Sequence, residues 1–417
     1  MTYIIGWKNK NCVFLSGDMA IKRNSKLKLK DTKSIFGEDI INEEDVSVNE
    51  ECLKVFKINQ KVVLAFSGEV KPALDFIEQI KNSISEEAPL DTIEFIVKNY
   101  ESKIDEFTIF IGLIDKEEKA RLFSFKSCTN QLLESEEPIQ SGSLNQEHRD
   151  LSEIICRDIS KNTIISEDDE LAIVNTFHQN LLIQEKLLTE AVGGIFFGIK
   201  LCPSGVSWQK DTSLIVYDFK EGMVGSDSFN PAELFENSAL VNVVERDNAI
   251  RYSSPFLKKG YTRNVVYNCL DTPQTLSDFN LKKEMIIDWH QKWYKETNQV
   301  FDNKDVNYFG FISRDKGLIP RVAVYSKERL KDLNVKIEST GHGNFVFKSI
   351  KKHSIRNIAN FINMIRPRLD PDEGQVYDLV FSTQKKRKLN RGALRPLLPF
   401  SSLYEQSKEK LLKYLLK

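Results

Sequence analysis

The period of the apolar residues changes in blocks over the first 219 residues, and that block order limits the fold more than any single residue does. Tyr3 to Ser16 reads as strands, and Lys54 to Ile58 with Lys61 to Phe66 reads as a hairpin around Asn59-Gln60. Leu74, Ile77 and Ile80 then fall at helical spacing within Pro72 to Ser83, as do Ile93, Ile96, Val97 and Tyr100 within Thr92 to Ile104. Strands return from Phe107 to Ile114 and from Leu122 to Phe125, flanking the turn Asp115-Lys116-Glu117-Glu118. Leu151 to Ile159 and Leu171 to Leu188 read as two more helices, the second carrying Val174, Phe177, Leu181 and Leu182 on one face and ending near Gly193-Gly194. Ile195 to Leu201 and Thr212 to Phe219 follow as two strands around Pro203-Ser204-Gly205. This order is expected of helices packed outside two antiparallel sheets, an α+β layered architecture rather than a parallel βαβ sheet.

The remaining chain is less regular. Residues 22 to 50 carry basic residues on one side (Lys22, Arg23, Lys26, Lys28, Lys30, Lys33) and acidic ones on the other (Glu38, Asp39, Glu43, Glu44, Asp45), and read as a solvated insertion. Met223 to Pro231 marks a boundary, which divides the chain into residues 1–223, a linker at 224–240 and a C-terminal mixed α/β domain at 241–417. In that last part Val265 to Tyr267 and Val322 to Tyr325 read as strands and Lys282 to Lys295 as a helix with Trp289 and Trp293 on one face, which favours core packing. From Lys348 onward basic residues exceed acidic ones by roughly ten, partly on the amphipathic stretch Lys351 to Arg366 and in Lys385-Lys386-Arg387-Lys388. A solvated face explains such a tail; so does docking of an acidic partner, or more weakly of a nucleic-acid backbone.

No stretch has the roughly 18 consecutive apolar residues of a membrane helix, and Lys8 and Lys10 interrupt the apolar start, so a cytoplasmic location without membrane attachment is expected. The six cysteines lack a C-x-x-C pair and suggest neither a zinc site nor a disulfide framework; reduced, packing cysteines are expected. No cofactor, metal site or G-x-x-x-x-G-K-[ST] phosphate loop is indicated.

Thr2 opens the strand run Thr2-Tyr3-Ile4-Ile5-Gly6-Trp7-Lys8, which leads to Ser16-Gly17-Asp18. If Met1 is removed, Thr2 carries both a hydroxyl and a free α-amino group, whose ordinary pKa of about 7.7 to 8.0 suits it as that hydroxyl's general base. Taken singly, Asp18 reads as a turn residue after Gly17 and Lys54 as a solvated strand residue. In order along the chain, however, Thr2 to Asp18, then Lys54-Val55-Phe56-Lys57-Ile58-Asn59, Ala65-Phe66-Ser67-Gly68, Ser141-Gly142-Ser143 and Gly193-Gly194 resemble the proteasome β-subunits and their bacterial HslV-type relatives. The resemblance covers about the first 220 residues.

That resemblance implies the proteasome-like N-terminal-nucleophile fold, a four-layer αββα sandwich, and a threonine-type peptidase. Thr2 would be nucleophile and α-amino base, Asp18 would orient the Lys54 ammonium, the Gly68 N–H would stabilise the oxyanion, and Ser141 would orient the amino group. A lysine near the hydroxyl favours the alkoxide, and one preorganised oxyanion donor contributes roughly 3 to 4 kcal/mol. The implied partners are a protein or peptide substrate, further copies in a ring, and an ATP-dependent unfoldase. The chain departs from the pattern in three places. The stretch between Asp18 and Lys54 is long, which leaves Lys33 as a rival for the lysine role. Thr189 or Glu190 falls where the family has a second aspartate, and Val192 where it usually has serine. The alternative is therefore a catalytically inactive proteasome-like scaffold that binds a partner.

Overall fold

The computed structural model describes residues 3–24, 46–50, 52–84, 89–100, 106–161, 165–185 and 192–217, and beyond these chiefly strand segments as far as residue 382. The chain opens with β1 (Tyr3–Lys8) and β2 (Val13–Gly17), an antiparallel pair in which Ile4 faces Gly17 and Lys8 faces Val13. β3 (Ala20–Asn24) and β4 (Val46–Glu50) form a separate two-stranded ribbon, so the segment read as an insertion is rooted in a hairpin. β5 (Val55–Lys57) and β6 (Val62–Gly68) form the expected hairpin.

Two helices follow, α1 (Val70–Ser83) and α2 (Pro89–Lys98). Ala73, Leu74, Phe76, Ile77 and Ile80 recur at helical spacing on α1 and form its buried stripe. β7 (Phe107–Ile114), β8 (Ala120–Lys126) and β9 (Gln131–Glu134) complete a five-stranded antiparallel sheet in the order β5-β6-β7-β8-β9. β10 (Ile139–Gly142) then crosses to pair with β1.

The second helix pair is α3 (Gln146–Ser160) and α4 (Glu167–Glu185). Asn145 caps α3 by accepting from the His148 amide at 3.0 Å. Glu167, Asp168, Asp169 and Glu170 occupy the first turn of α4, where carboxylates meet the positive end of the helix dipole. β11 (Phe197–Cys202) and β12 (Gly205–Trp208) finish the other five-stranded sheet, in the order β10-β1-β2-β11-β12.

The strands of both sheets alternate between two apolar environments, and this explains why their sequences read as nearly continuous apolar runs. Ile4, Val13, Leu15, Val63, Ala65, Phe110, Phe197 and Ile199 share a core between the sheets. The intervening residues Tyr3, Ile5, Trp7 and Phe14 pack with Phe177, Leu181 and other residues of α3 and α4. Val62, Leu64, Phe66, Ile109 and Ile111 pack instead with the buried faces of α1 and α2. The molecule is thus a mixed α+β structure with mainly antiparallel sheets.

Three features differ from the sequence-based expectation. First, the hairpin partner of β11 is β12, because the two-residue turn Pro203-Ser204 returns the chain at once and sets Cys202 opposite Gly205. The next strand, β13 (Thr212–Tyr217), leaves this sheet. It pairs antiparallel with β14 (Ala239–Arg246), which begins inside the stretch read as a linker; β15 (Ala249–Phe256) and β16 (Tyr261–Asn268) extend that side. On its other side β13 pairs in parallel with β17 (Tyr308–Ser313), followed by β18 (Val322–Ser326). Two short pairs, β19 (Val335–Gly341) with β20 (Asn344–Ser349) and β21 (Leu369–Asp370) with β22 (Gly374–Gln375), stand apart; β23 (Val380–Ser382) adds to β18 as the seventh strand of the third sheet.

Second, α4 is buried on nearly every side. A Cβ on Gly198 of β11 would come within 2.8 Å of Asn175 and Leu171, and one on Gly310 of β17 within 2.7 Å of Thr176. The helix is therefore clamped between two sheets at close approach, and Asn175, Thr176, His178, Gln179 and Asn180 are all buried. Tyr308 seals the contact by donating its hydroxyl to Asp169 at 2.7 Å.

Third, the cysteines are not all reduced: Cys12 and Cys202 form a disulfide across a sequence separation of 190. The β2–β11 register, which sets Leu201 opposite Val13, brings the next pair of positions together. No helix among the described residues is long and apolar enough to cross a membrane. The expected helices at Lys282 to Lys295 and Lys351 to Arg366, the boundary at Met223 to Pro231 and the basic tail from Lys385 lie outside the described residues.

Candidate active site

Where β2 ends, Gly17 leads to Asp18, whose carboxylate is fully buried and takes four donors. Oδ1 accepts from the Tyr3 amide at 2.9 Å and from Lys54 Nζ at 2.5 Å. Oδ2 accepts from the amides of Ala20 at 3.1 Å and Gly193 at 2.9 Å. The Asp18 amide in turn donates to the Tyr3 carbonyl at 3.1 Å. One short side chain thus ties β1, the start of β3 and the late glycine segment, while the Met19 amide donates to the Gly193 carbonyl alongside it.

Lys54 has no exposed surface, and its ammonium also donates to the Ala20 carbonyl at 2.6 Å. Its backbone carbonyl accepts from the Phe66 amide, which fixes the lysine to β6 one residue before Ser67. Such a burial is tolerated only when geometry and additional hydrogen bonds offset the desolvation of both charges. Those partners are present here.

A second contact lies on the other flank of β1. The Ser67 hydroxyl donates to the Ser141 hydroxyl at 2.7 Å, and Ser141 sits opposite Ile4 in the β1–β10 register. Gly68 follows with φ +98°, and a Cβ there would lie 2.4 Å from the Glu106 carbonyl oxygen. Only glycine fits that end of β6 without displacing backbone.

Of the residues singled out from the sequence, Asp18 and Lys54 are therefore in direct contact, and Ser141 and Gly68 are joined through Ser67. Thr2 lies outside the described residues, as do Lys33, Thr189 and Glu190. The amide nitrogen of Tyr3, which the peptide bond joins to Thr2, is the group held on Asp18 Oδ1. Val192 is fully buried next to Gly193.

Several contributors were not legible in the sequence. Ser67 had a signal, standing immediately before Gly68 in the small-residue-plus-glycine motif. The Gly193 amide had none, since a backbone donor leaves no side-chain mark. His178 also had none. Its ring stacks on Phe196 with centroids 4.9 Å apart and lies 5.8 Å from the Tyr3 ring, and Nδ1 donates to the Val174 carbonyl at 2.8 Å. Burial lowers its pKa from 6.5 to about 4.

That shift has a thermodynamic consequence. Because the folded-state value is depressed, the stabilisation is present above 6.5 and is lost as pH falls towards about 4. Unfolding then takes up a proton, so His178 alone is expected to cost about 3 kcal/mol across that window. His178→Phe keeps a ring in the stack and should show a flatter dependence of unfolding free energy on pH. Equal slopes for the two proteins would remove His178 from the account.

A neighbouring carboxylate behaves differently. Glu170 accepts from the Trp7 indole N–H at 2.9 Å, Asn9 at 2.8 Å and the Ser160 hydroxyl at 2.6 Å, and burial pushes its carboxyl upward. Its partners tie β1 to α3 and α4, a structural role. Among the described residues no group of three or more His, Cys, Asp or Glu is arranged to hold a metal ion. Comparison of the chain with protein-family models and with curated proteins finds no match.

Proposed function

We propose that the chain is a threonine-type peptidase with a proteasome-like, four-layer αββα N-terminal-nucleophile domain, whose nucleophile is Thr2 after loss of Met1. One observation carries this reading: the buried Asp18 oxygen that takes the Lys54 ammonium also takes the amide that links Thr2 to Tyr3. The start of β1 and the lysine are thereby held on one atom. The helix pairs α1/α2 and α3/α4, each packed on the outer face of one of two sheets, support the fold assignment.

The chemistry follows from those groups. The Thr2 hydroxyl oxygen attacks the peptide carbonyl carbon and passes its proton to the Thr2 amine. Collapse of the tetrahedral species breaks the C–N bond, the leaving amine takes that proton, and an ester to Thr2 remains. Water, deprotonated by the same amine, then hydrolyses the ester and restores the hydroxyl. The positive charge of Lys54 favours the alkoxide, the Gly68 N–H serves the oxyanion, and Ser141 orients the amine. The substrate is a protein or peptide, and no cofactor enters the cycle.

A second reading, a catalytically inactive proteasome-like scaffold that binds a partner, is favoured by one observation. Next to Gly193, whose amide meets Asp18, stands the buried and apolar Val192 rather than a hydroxyl. Intact-mass measurement, N-terminal sequencing and hydrolysis of fluorogenic peptides separate the two. The peptidase should lack Met1, and Thr2→Ala should lower turnover by at least about a thousandfold. Cleavage by protein that retains Met1, or by the alanine variant, would overturn the self-base mechanism; unchanged partner binding without any turnover would favour the scaffold.

A further inference from the structure

The segment that carries Ser141 is held by a residue that the sequence shows only as part of a charged run. Arg149 lies in the first turns of α3, and its guanidinium donates through Nε to the Leu144 carbonyl at 2.7 Å and through Nη2 to the Gly142 carbonyl. Both carbonyls belong to the turn that leaves β10, where Gly142 has φ +122°. The backbone of Arg149 is engaged as well: its amide donates to the Asn145 carbonyl at 3.0 Å, and its carbonyl accepts from the Gln140 side chain at 2.9 Å. The same Gln140 amide group accepts from the Tyr3 hydroxyl at 2.7 Å. Gly142 is the register partner of Tyr3, and Ser141 stands between the two anchored residues, Gln140 and Gly142.

We propose that Arg149 is a positioning residue for the reaction: its fork holds the β10 turn so that the Ser141 hydroxyl and the first residues of β1 keep one fixed geometry. The proposal rests on the peptidase reading, in which Ser141 orients the Thr2 amine. The arrangement goes beyond closing a turn. Two carbonyls converge on one planar guanidinium, a demand that a single ammonium cannot meet in the same way. The clamp also reaches β1 itself, through Gln140 and the Tyr3 hydroxyl. Release of the turn would let Ser141 drift relative to Ser67 and β1, and a displacement of about 1 Å in such a group is enough to lower turnover about a hundredfold.

The test compares wild type, Arg149→Gln and Arg149→Lys, using fluorogenic peptide hydrolysis together with amide hydrogen exchange. Arg149→Gln is expected to lower kcat by about tenfold to a hundredfold with KM within about twofold, and to speed exchange within residues 139–144 but not within 197–202. Arg149→Lys should recover part of kcat. An Arg149→Gln enzyme with wild-type kcat, or one whose exchange rises equally throughout the molecule, would overturn the proposal. If wild type itself cleaves no peptide, the peptidase reading fails and the positioning role fails with it. Faster exchange confined to 139–144 would then assign Arg149 to the turn alone.

Discussion

Lys54→Met is expected to destabilise the fold by about 3 to 5 kcal/mol and, on the proposed peptidase reading, to abolish peptide hydrolysis. Asp18 and Lys54 both have no exposed side-chain surface, so removal of the cation leaves a carboxylate far from water with only backbone amides around it. Asp18→Asn strands the ammonium in the same way, leaving only neutral acceptors such as the Ala20 carbonyl where a carboxylate stood. Because each single change leaves one buried charge behind, the double variant should be more stable than the summed losses imply. Urea unfolding of the four proteins measures that coupling. Activity separates structure from chemistry: if Lys54 serves the nucleophile, the neutral pair in the double variant recovers stability without recovering turnover. A double variant that cleaves peptides at the wild-type rate would confine the ion pair to a structural role.

Removal of the Cys12–Cys202 bond is the other large effect, expected to cost about 2 to 5 kcal/mol. The bond closes a sequence separation of 190 between the N-terminal strand pair and β11, so its loss restores much freedom to the unfolded chain. The unfolding midpoint of wild type should fall when reductant is added, whereas that of a Cys12→Ser, Cys202→Ser variant should start lower and not respond. Thiol labelling of the unreduced native protein gives an independent check: Cys12 and Cys202 should remain unlabelled after unfolding, unlike Cys52, Cys128 and Cys156, which form no disulfide. Labelling of Cys12 and Cys202 under those conditions would discard the bond.

How much of this was legible in the chain varies by element. The stripe of α1 and the β5–β6 and β7–β8 hairpins were readable because helical and strand periods, and the turns that join them, depend on residues close in sequence. The β12–β13 region was misread for a related reason. Thr212 to Tyr217 has the composition of a strand, but composition does not say which sheet a strand joins, and β13 finds β14 and β17 rather than β11. The cysteines show the same limit. Without a C-x-x-C pair they read as reduced, and only the register of β2 on β11 aligns two of them.

The candidate site divides along the same line. Asp18, Lys54, Gly68 and Ser141 could be picked out from ordered motifs, since each stands at a strand end or turn with a recognisable residue type. Gln140, Arg149, His178 and the Gly193 amide could not, because their meaning comes from what they face across the fold.

What the sequence determined by itself was local: the block order of strands and helices, the apolar faces of those helices, and the residue types available for chemistry. Tertiary structure alone decided that Lys54 meets Asp18 out of water, that Asp18 also grips the amide joined to Thr2, that α4 is covered by two sheets, and that Cys12 finds Cys202. The physical reason is common to all four. Propensity and period are set by neighbours along the chain, whereas burial and pairing of distant groups are set by strand register and by the layer each strand enters.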